Sequence, residues 1–167
     1  MCAAVCGLTL RLRLGVGLAR RTSVIKVPIH VLLAEDNPGD AVLVRMALEA
    51  TGIAGEITLA CNGDEAIRMV ERAEAGGTPA FGLFLLDLNL PHHDGAEILA
   101  RVRRSPTLNQ IPVIMLTSSD SPIDRERCLK LGATRYFLKP TGLAEYMHLG
   151  QLVANSVSKK TNSASQR

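Results

Sequence analysis

Short apolar segments alternate with helix-forming segments along this chain, and that alternation restricts the possible folds more than any other feature. Five apolar segments of strand length lie at residues 29–34, 56–60, 81–86, 112–116 and 135–138. Amphipathic patterns, caps and breakers predict helices at 38–51, 62–75, 94–105, 121–131 and 142–157. Because parallel strands joined by right-handed crossovers need helices on both faces, this order predicts an α/β protein with a doubly wound parallel sheet.

The charge distribution argues against a nucleic-acid-binding body. The net charge is +3, but eight of the 19 lysines and arginines lie in residues 1–27 and 155–167, which contain no acidic residue. The middle of the chain is therefore acidic, whereas a nucleic-acid binder should concentrate positive charge on its folded surface. No apolar segment is long enough to span a membrane.

The two ends differ in composition from the middle. Residues 28–157 form the predicted domain, and the polar residues 158–167 are predicted to be a disordered tail. Residues 1–27 are interpreted as a disordered extension or a mis-assigned start, with a twin-arginine signal at Arg20-Arg21 or an organelle presequence as alternatives. Cys61 and Cys128 lie in predicted elements without metal-binding spacing, which favours reduced thiols in a cytoplasmic protein.

Polar residues end four of the five predicted strands. Three carboxylates (Glu35, Asp36 and Asp87), the hydroxyl of Thr117 and the amine of Lys139 occupy these ends. In open parallel sheets, ligands bind beyond the carboxyl ends of the strands, so these groups should share one crevice. Clustered carboxylates repel one another unless a cation joins them, and hard oxygen ligands suit Mg²⁺. An aspartate in such a site can attack phosphorus and become an aspartyl phosphate.

These residues stand in sequence patterns that resemble those of a known family. The patterns are Glu35-Asp36-Asn37, the stretch from Leu86 to Pro91, Asp94-Gly95, Leu116-Thr117-Ser118 and Lys139-Pro140. In order and spacing they resemble the receiver domain of two-component response regulators, and more loosely the small single-domain regulators paired with bacterial and cyanobacterial phytochromes. The resemblance implies a flavodoxin-like sheet of strand order 2-1-3-4-5, a sensor histidine kinase as partner, and a phosphoacceptor protein rather than an enzyme.

The resemblance also implies a role for each residue of the site. Asp87 is the expected phosphoacceptor; Mg²⁺ is expected to be bound by Asp36 and Asp87, by Glu35 through water, and by the backbone carbonyl of Asn89. Thr117 and Lys139 are expected to contact the phosphoryl group. Two further expectations are that Tyr136 acts with Thr117 as a switch and that the Lys139-Pro140 bond is cis.

Other interpretations explain parts of the pattern. Singly, Glu35 and Asp36 could cap a helix, and Lys139 could be a surface residue. A phosphatase using aspartyl-phosphate chemistry would need an acid at position 89, which is Asn. A nucleotide- or flavin-binding protein would need a glycine-rich motif after a strand, and none is present. His92-His93 could indicate a transition-metal site, but adjacent loop histidines are more often solvated.

Such a domain is expected to transmit its signal through its own surface, by binding a partner or a second copy of itself. The face formed by helix 4, strand 5 and helix 5 is the predicted site of a homodimer or partner contact. Its apolar or aromatic candidates are Ile123, Leu129, Tyr136, Tyr146 and Met147.

Overall fold

The structure is a computed structural model that describes residues 29–51 and 55–164, with backbone only for Leu143 and for residues 158–164. In this part of the chain five strands alternate with five helices. The strands are β1 (Val31–Ala34), β2 (Ile57–Ala60), β3 (Leu83–Asp87), β4 (Val113–Thr117) and β5 (Arg135–Leu138). The helices are α1 (Pro38–Ala50), α2 (Gly63–Glu74), α3 (Gly95–Arg104), α4 (Pro122–Lys130) and α5 (Leu143–Ala164).

The five strands form one parallel sheet in the order β2-β1-β3-β4-β5, as expected. Its register aligns Ala34 of β1 with Leu86 of β3, and Asp87 with Leu116 of β4. The strand order reverses between β1 and β3, so the crevice at their carboxyl ends is the switch point where ligands bind in such sheets.

Each face of the sheet carries its own hydrophobic core. Leu33 and Leu85 point to one face, where α1 and α5 cover them through Val44 and Leu149. The alternate residues point to the other face, where α2, α3 and α4 pack on them. All residues of β1, β3 and β4 are buried, which is why these strands have almost uninterrupted apolar sequences.

Three helices begin at the capping residues that the sequence predicted. Asn37 accepts from the N–H groups of Gly39 and Asp40, with Pro38 as the first helical residue. Asn62 and Ser121 cap α2 and α4 in the same way. The helices of the site therefore begin immediately after the loops that carry the polar residues.

Some boundaries and one peptide bond differ from the sequence predictions. The sequence predicted that α5 ends at Val157, but the helix continues to Ala164. The residues after Val157 are mostly polar but include no proline or glycine, so they do not end the helix. The expected cis bond at Lys139-Pro140 is wrong; that bond is trans, in keeping with the general preference of X-Pro bonds, and the cis bond among the described residues is Thr78-Pro79. The predictions for residues 1–27 and for Gly52 as the end of α1 lie outside the described residues.

Two further predictions concern thiols and membranes. Cys61 and Cys128 are buried free thiols, as the sequence indicated. Within residues 29–51 and 55–164, no helix combines the length and the apolar character that crossing a membrane requires.

Candidate phosphoacceptor and metal site

Three strand ends bring one lysine and two acids into direct contact. The Nζ atom of Lys139 lies 2.7 Å from Asp87 Oδ2 and 2.8 Å from Glu35 Oε2. These side chains are nearly inaccessible, with 6% of Lys139, 7% of Asp87 and none of Glu35 exposed. Since buried charges persist only when they are paired, the three groups form one electrostatic unit.

The acids also form a group able to hold a metal ion. Ligand oxygens of Glu35, Asp36 and Asp87 lie within 4.8 Å of one another. Asp36 is exposed at the end of β1, so the group opens to solvent on its side. Three carboxylates outnumber the one ammonium group of Lys139, and all their donor atoms are hard oxygens. The residues present therefore fit a small divalent cation such as Mg²⁺.

Burial and pairing shift the ionisation of this unit. Burial raises the pKa of Glu35 to about 7, although its hydrogen bond with Lys139 lowers it. For Lys139, burial lowers the pKa, but the hydrogen bonds to Asp87 and Glu35 outweigh burial and raise it above its usual value. Lys139 is therefore a permanent positive charge beside Asp87, whereas ionisation of Glu35 depends on its neighbours.

The loop after Asp87 is held by the backbone of α3. A Cβ atom on Gly95 would lie 2.1 Å from the carbonyl oxygen of Asp87, so no other residue fits without a shift. The N–H group of Gly95 donates to the carbonyl of Leu88, at 3.0 Å. Asp94, just before it, caps α3 in a capping box with Glu97. The Asp-Gly pair thus fixes α3 directly beneath the phosphoacceptor candidate.

Asn89 lies beside Asp87 through its backbone. Its N–H group donates to Asp87 Oδ1 at 3.1 Å, and its side chain faces solvent. A cavity of about 420 Å³ adjoins this loop, and Asp36, Asn89, Asp94 and Arg127 are among its lining residues. This opening gives small molecules a route to Asp36, the exposed acid of the group.

Thr117 and Tyr136 are joined through one residue of the loop after β4. The hydroxyl oxygen of Thr117 accepts from the N–H group of Ser119 at 2.9 Å. The hydroxyl of Tyr136 donates to the carbonyl oxygen of Ser119 at 3.2 Å. Ser119 also donates from its own hydroxyl to Asp124 Oδ2 at 2.9 Å, which connects the loop to α4. Sequence reasoning missed Ser119, although its place two residues after Thr117 puts it in the loop between the two predicted switch residues.

Asp40 is a second residue that sequence reasoning missed. Its Oδ2 atom lies 3.0 Å from Nζ of Lys139, so three carboxylates surround this ammonium group. The signal was available: Asp40 follows Asp36 by four residues at the start of a predicted helix, a spacing that brings it back toward the strand end.

The histidine pair does not join the acidic group. His93 lies 3.4 Å from Asp64 and 3.2 Å from Glu97, and His92 lies 3.7 Å from Asp64. Both rings are about half exposed, as expected for solvated loop residues. Among the described residues, the acids at the strand ends are the group that could hold a metal ion.

Comparison with known proteins identifies the family. The family described as "Response regulator receiver domain" matches residues 31–149. The chain belongs to this receiver-domain family. It is 38% identical over 113 residues to the probable methanogenesis regulatory protein FilR2 of Methanothrix harundinacea, covering 68% of this chain and 73% of FilR2. It is 34% identical over 125 residues to the response regulator Rcp1 of a Synechocystis strain, covering 74% of this chain and 85% of Rcp1.

Two solved structures of response regulators have the same fold. The phosphorylated cyanobacterial phytochrome response regulator RcpA aligns with a TM-score of 0.69 at 30% identity, covering 76% of this chain and 91% of RcpA. The Mn²⁺-bound form of Rcp1 aligns with a TM-score of 0.68 at 33% identity, covering 75% of this chain and 91% of Rcp1. Receiver domains are signalling phosphoacceptor domains that take phosphoryl groups from histidine kinases, and the acidic group together with the Mn²⁺-bound relative suggests divalent metal binding in this family.

Proposed function

We propose that this receiver domain accepts a phosphoryl group on Asp87, from a sensor histidine kinase, in a Mg²⁺-dependent reaction. The observation that supports this most directly is the environment of Asp87. Its carboxylate ends a buried strand, contacts the Lys139 ammonium group at 2.7 Å and shares a metal-sized space with Asp36 and Glu35. A buried carboxylate paired in this way, beside an open cavity, is suited to nucleophilic attack on a phosphorus atom.

The chain's own residues divide the work of this reaction. An oxygen of Asp87 forms a bond to phosphorus while the bond from phosphorus to the kinase histidine nitrogen breaks, and the nitrogen keeps the electron pair. Lys139 and Thr117 hold phosphoryl oxygens, so charge on the transferring group meets fixed donors. Bound Mg²⁺, held by Asp36, Asp87, the Asn89 carbonyl and, through water, Glu35, would neutralise the charge of carboxylates and phosphate.

The relatives and the composition support a proposed partner and compartment. RcpA is a phytochrome response regulator, so a phytochrome-type sensor kinase is the proposed donor for this chain. Positive charge concentrated at the chain ends rather than on the acidic middle supports protein partners over nucleic acid. Reduced buried thiols support a cytoplasmic location.

The signal is proposed to leave through the face formed by α4, β5 and α5. Phosphorylation draws the Thr117 hydroxyl toward the phosphoryl oxygens, which breaks its contact with Ser119 and frees the loop that Tyr136 holds. Helix α4 presents Ile123, 77% exposed, and Leu129, 46% exposed, and Leu138 of β5 is also 46% exposed. These apolar side chains support a homodimer through this face.

Two of the sequence candidates for this face, Tyr146 and Met147, are buried or partly buried. Tyr146 is only 2% exposed and packs in the core beside α1, so its assignment to the surface is wrong. The reason is its phase on α5, which turns the ring toward the sheet and not toward solvent. Met147 is partly buried against the same core, which leaves the exposed residues of α4 and β5 as the apolar part of the face.

Phosphorylation with a small phosphodonor tests the proposal. With Mg²⁺ and acetyl phosphate, the protein should gain one phosphoryl group that hydroxylamine removes, and chelation of the metal should prevent the gain. Asp36→Ala should abolish the Mg²⁺-dependent phosphorylation without unfolding the protein, whereas Asp64→Ala, in the exposed start of α2, should be phosphorylated like wild type. Equal phosphorylation of Asp36→Ala and wild type would show that Asp36 is not needed for metal binding, since Asn37 is the residue that caps α1.

A further inference from the structure

The side chain of Lys139 has three acidic partners, and only two of them belong to the candidate metal group. Lys139 Nζ contacts Glu35, Asp87 and Asp40 at 2.8, 2.7 and 3.0 Å. The ammonium group donates hydrogen bonds to Asp87 and Asp40, while Glu35 lies at ion-pair distance from it. With 6% of its side chain exposed, Lys139 has almost no water to replace a lost partner.

Asp40 differs from the other two partners in its position. It stands in the first turn of α1, and its side chain is 25% exposed. Glu35 and Asp87 lie in the group whose oxygens converge within 4.8 Å, and Asp40 does not. A cation in that group competes with Lys139 for Glu35 and Asp87, because both carriers of positive charge use the same carboxylates. When a cation occupies the group, Asp40 is the acidic partner that Lys139 keeps.

The phenol of Tyr146 lies in the surroundings of Asp40 and Lys139. Tyr146, from α5, has a buried hydroxyl with no hydrogen-bond partner among the described residues. Burial raises the pKa of this hydroxyl to about 12, and the charge of Asp40 adds to the effect, which places the phenol in the field of that carboxylate. The Tyr146 ring lies against Phe137, with centroids 6.2 Å apart. A neutral phenol oxygen is a weaker acceptor for an ammonium group than a carboxylate is, so Tyr146 does not take the place of Asp40 as an anionic partner.

We infer that Asp40 is a positioning residue, which anchors the ammonium group of Lys139 beside Asp87 while a cation and a phosphoryl group occupy the site. This inference rests on the proposed function and extends it to a residue outside the metal group. Asp40 touches neither the metal group nor the phosphoryl acceptor; it acts through Lys139. Without Asp40, Lys139 keeps its charge, but its ammonium group is no longer held in one orientation. The phosphoryl oxygens are then bound by a less well-positioned hydrogen-bond donor.

The test measures the limiting rate of phosphorylation separately from the affinity for the phosphodonor. Phosphorylation by acetyl phosphate is followed at saturating Mg²⁺ over a range of phosphodonor concentrations for wild type, Asp40→Asn and Asp40→Glu. We expect the limiting rate of Asp40→Asn to fall by about tenfold, as for loss of one hydrogen bond to a charged group. The phosphodonor concentration for half-maximal rate should change little, and Asp40→Glu should recover much of the rate because it restores a carboxylate.

Glu49→Gln is the matched control, because Glu49 is an exposed acid of the same helix and the change removes the same charge. It should behave like wild type. If Asp40→Asn and Glu49→Gln change the kinetics equally, the effect of Asp40 is one of net charge and the inference is wrong. If Asp40→Asn keeps the wild-type limiting rate, the inference is wrong while the proposed function stands; if wild type itself is not phosphorylated, the proposed function fails.

A second measurement does not depend on phosphoryl transfer. Reductive methylation of lysines, read by peptide mass spectrometry in the presence of Mg²⁺, reports how accessible Lys139 is. Modification of Lys139 should be slow in wild type and in Glu49→Gln and several-fold faster in Asp40→Asn, because the ammonium group is no longer anchored in its buried position. Equal rates in all three proteins would show that Asp40 does not hold Lys139.

Discussion

At the scale of single residues, the site is a balance between one buried cation and several carboxylates. Lys139 compensates Glu35 and Asp87, and neither acid has more than 7% of its side chain exposed. Taking one partner out of a buried ion pair leaves an uncompensated charge, which costs much more than the loss of a surface pair. The same arrangement that would prepare Asp87 for the proposed phosphorylation therefore also contributes to the stability of the metal-free protein.

Replacing Lys139 tests this balance. In the absence of Mg²⁺, Lys139→Met should be destabilised by about 3 kcal/mol, because Glu35 and Asp87 lose their common counter-charge. Thermal or urea unfolding measures the change. Added Mg²⁺ should stabilise the variant more than wild type, since the ion supplies positive charge to the same carboxylates.

Lys130→Met is the control for that experiment. Lys130 pairs with Glu126 on α4, where both side chains are more than two-thirds exposed, at 74% and 67%. Its replacement should not change stability measurably. Equal stability of Lys139→Met and wild type in metal-free buffer would mean that Lys139 is not the counter-charge of the site.

At the scale of elements, the strand ends were predictable from sequence because each polar residue follows a buried apolar strand directly. Asp87 and Thr117 end strands in which every residue is buried, so their positions follow from parallel pairing. Loop conformations and helix phase were less predictable. Ser119 contacts the two predicted switch residues, Thr117 and Tyr136, through backbone groups, which carry no sequence signal. Tyr146 points inward because of the rotation of α5 on the sheet.

The contact between α3 and Asp87 gives a prediction at this scale. In Gly95→Ala, the new methyl group would lie 2.1 Å from the Asp87 carbonyl oxygen, so α3 or the loop must move. We expect a loss of stability of about 1–3 kcal/mol together with slower phosphorylation. Gly82→Ala is the comparison, because its methyl group would meet its nearest atoms at an ordinary 3.5 Å.

Urea unfolding and phosphorylation kinetics measure both variants. Gly82→Ala should remain close to wild type in rate. A Gly95→Ala protein with wild-type stability and rate would show that the Asp-Gly pair does not set the position of Asp87.

At the scale of the whole molecule, the helices on the two faces of the sheet are packed differently. Helices α1 and α5 pack closely on one face, where Gly150 allows α5 to approach the backbone of Ala47 in α1. On the other face α4 contributes a single buried residue, Cys128, and leaves Ile123 largely exposed. Helix α4 is therefore loosely packed, and it is also joined to the loop that follows Thr117. The proposed switch needs both a mobile element and such a connection.

Association in solution tests the proposed output face. With Mg²⁺ and beryllium fluoride as a phosphoryl mimic, sedimentation should show more dimer than without the mimic. Ile123→Lys should suppress this increase, because it places a charge in the apolar contact. Met46→Lys, which changes a side chain of α1 that is 42% exposed, should dimerise like wild type. If the two variants associate alike, the dimer does not form through the α4 face.

The identity of the phosphorylated residue tests the central claim most directly. Wild type and Asp87→Asn are incubated with Mg²⁺ and acetyl phosphate, and intact mass and peptide mapping follow the added phosphoryl group. Asp87→Asn keeps the size of the side chain and removes the nucleophile, so we predict one phosphoryl group on Asp87 of wild type and none on the variant. A phosphoryl group on folded Asp87→Asn, at the rate and extent of wild type, would contradict the assignment of Asp87 as the phosphoacceptor.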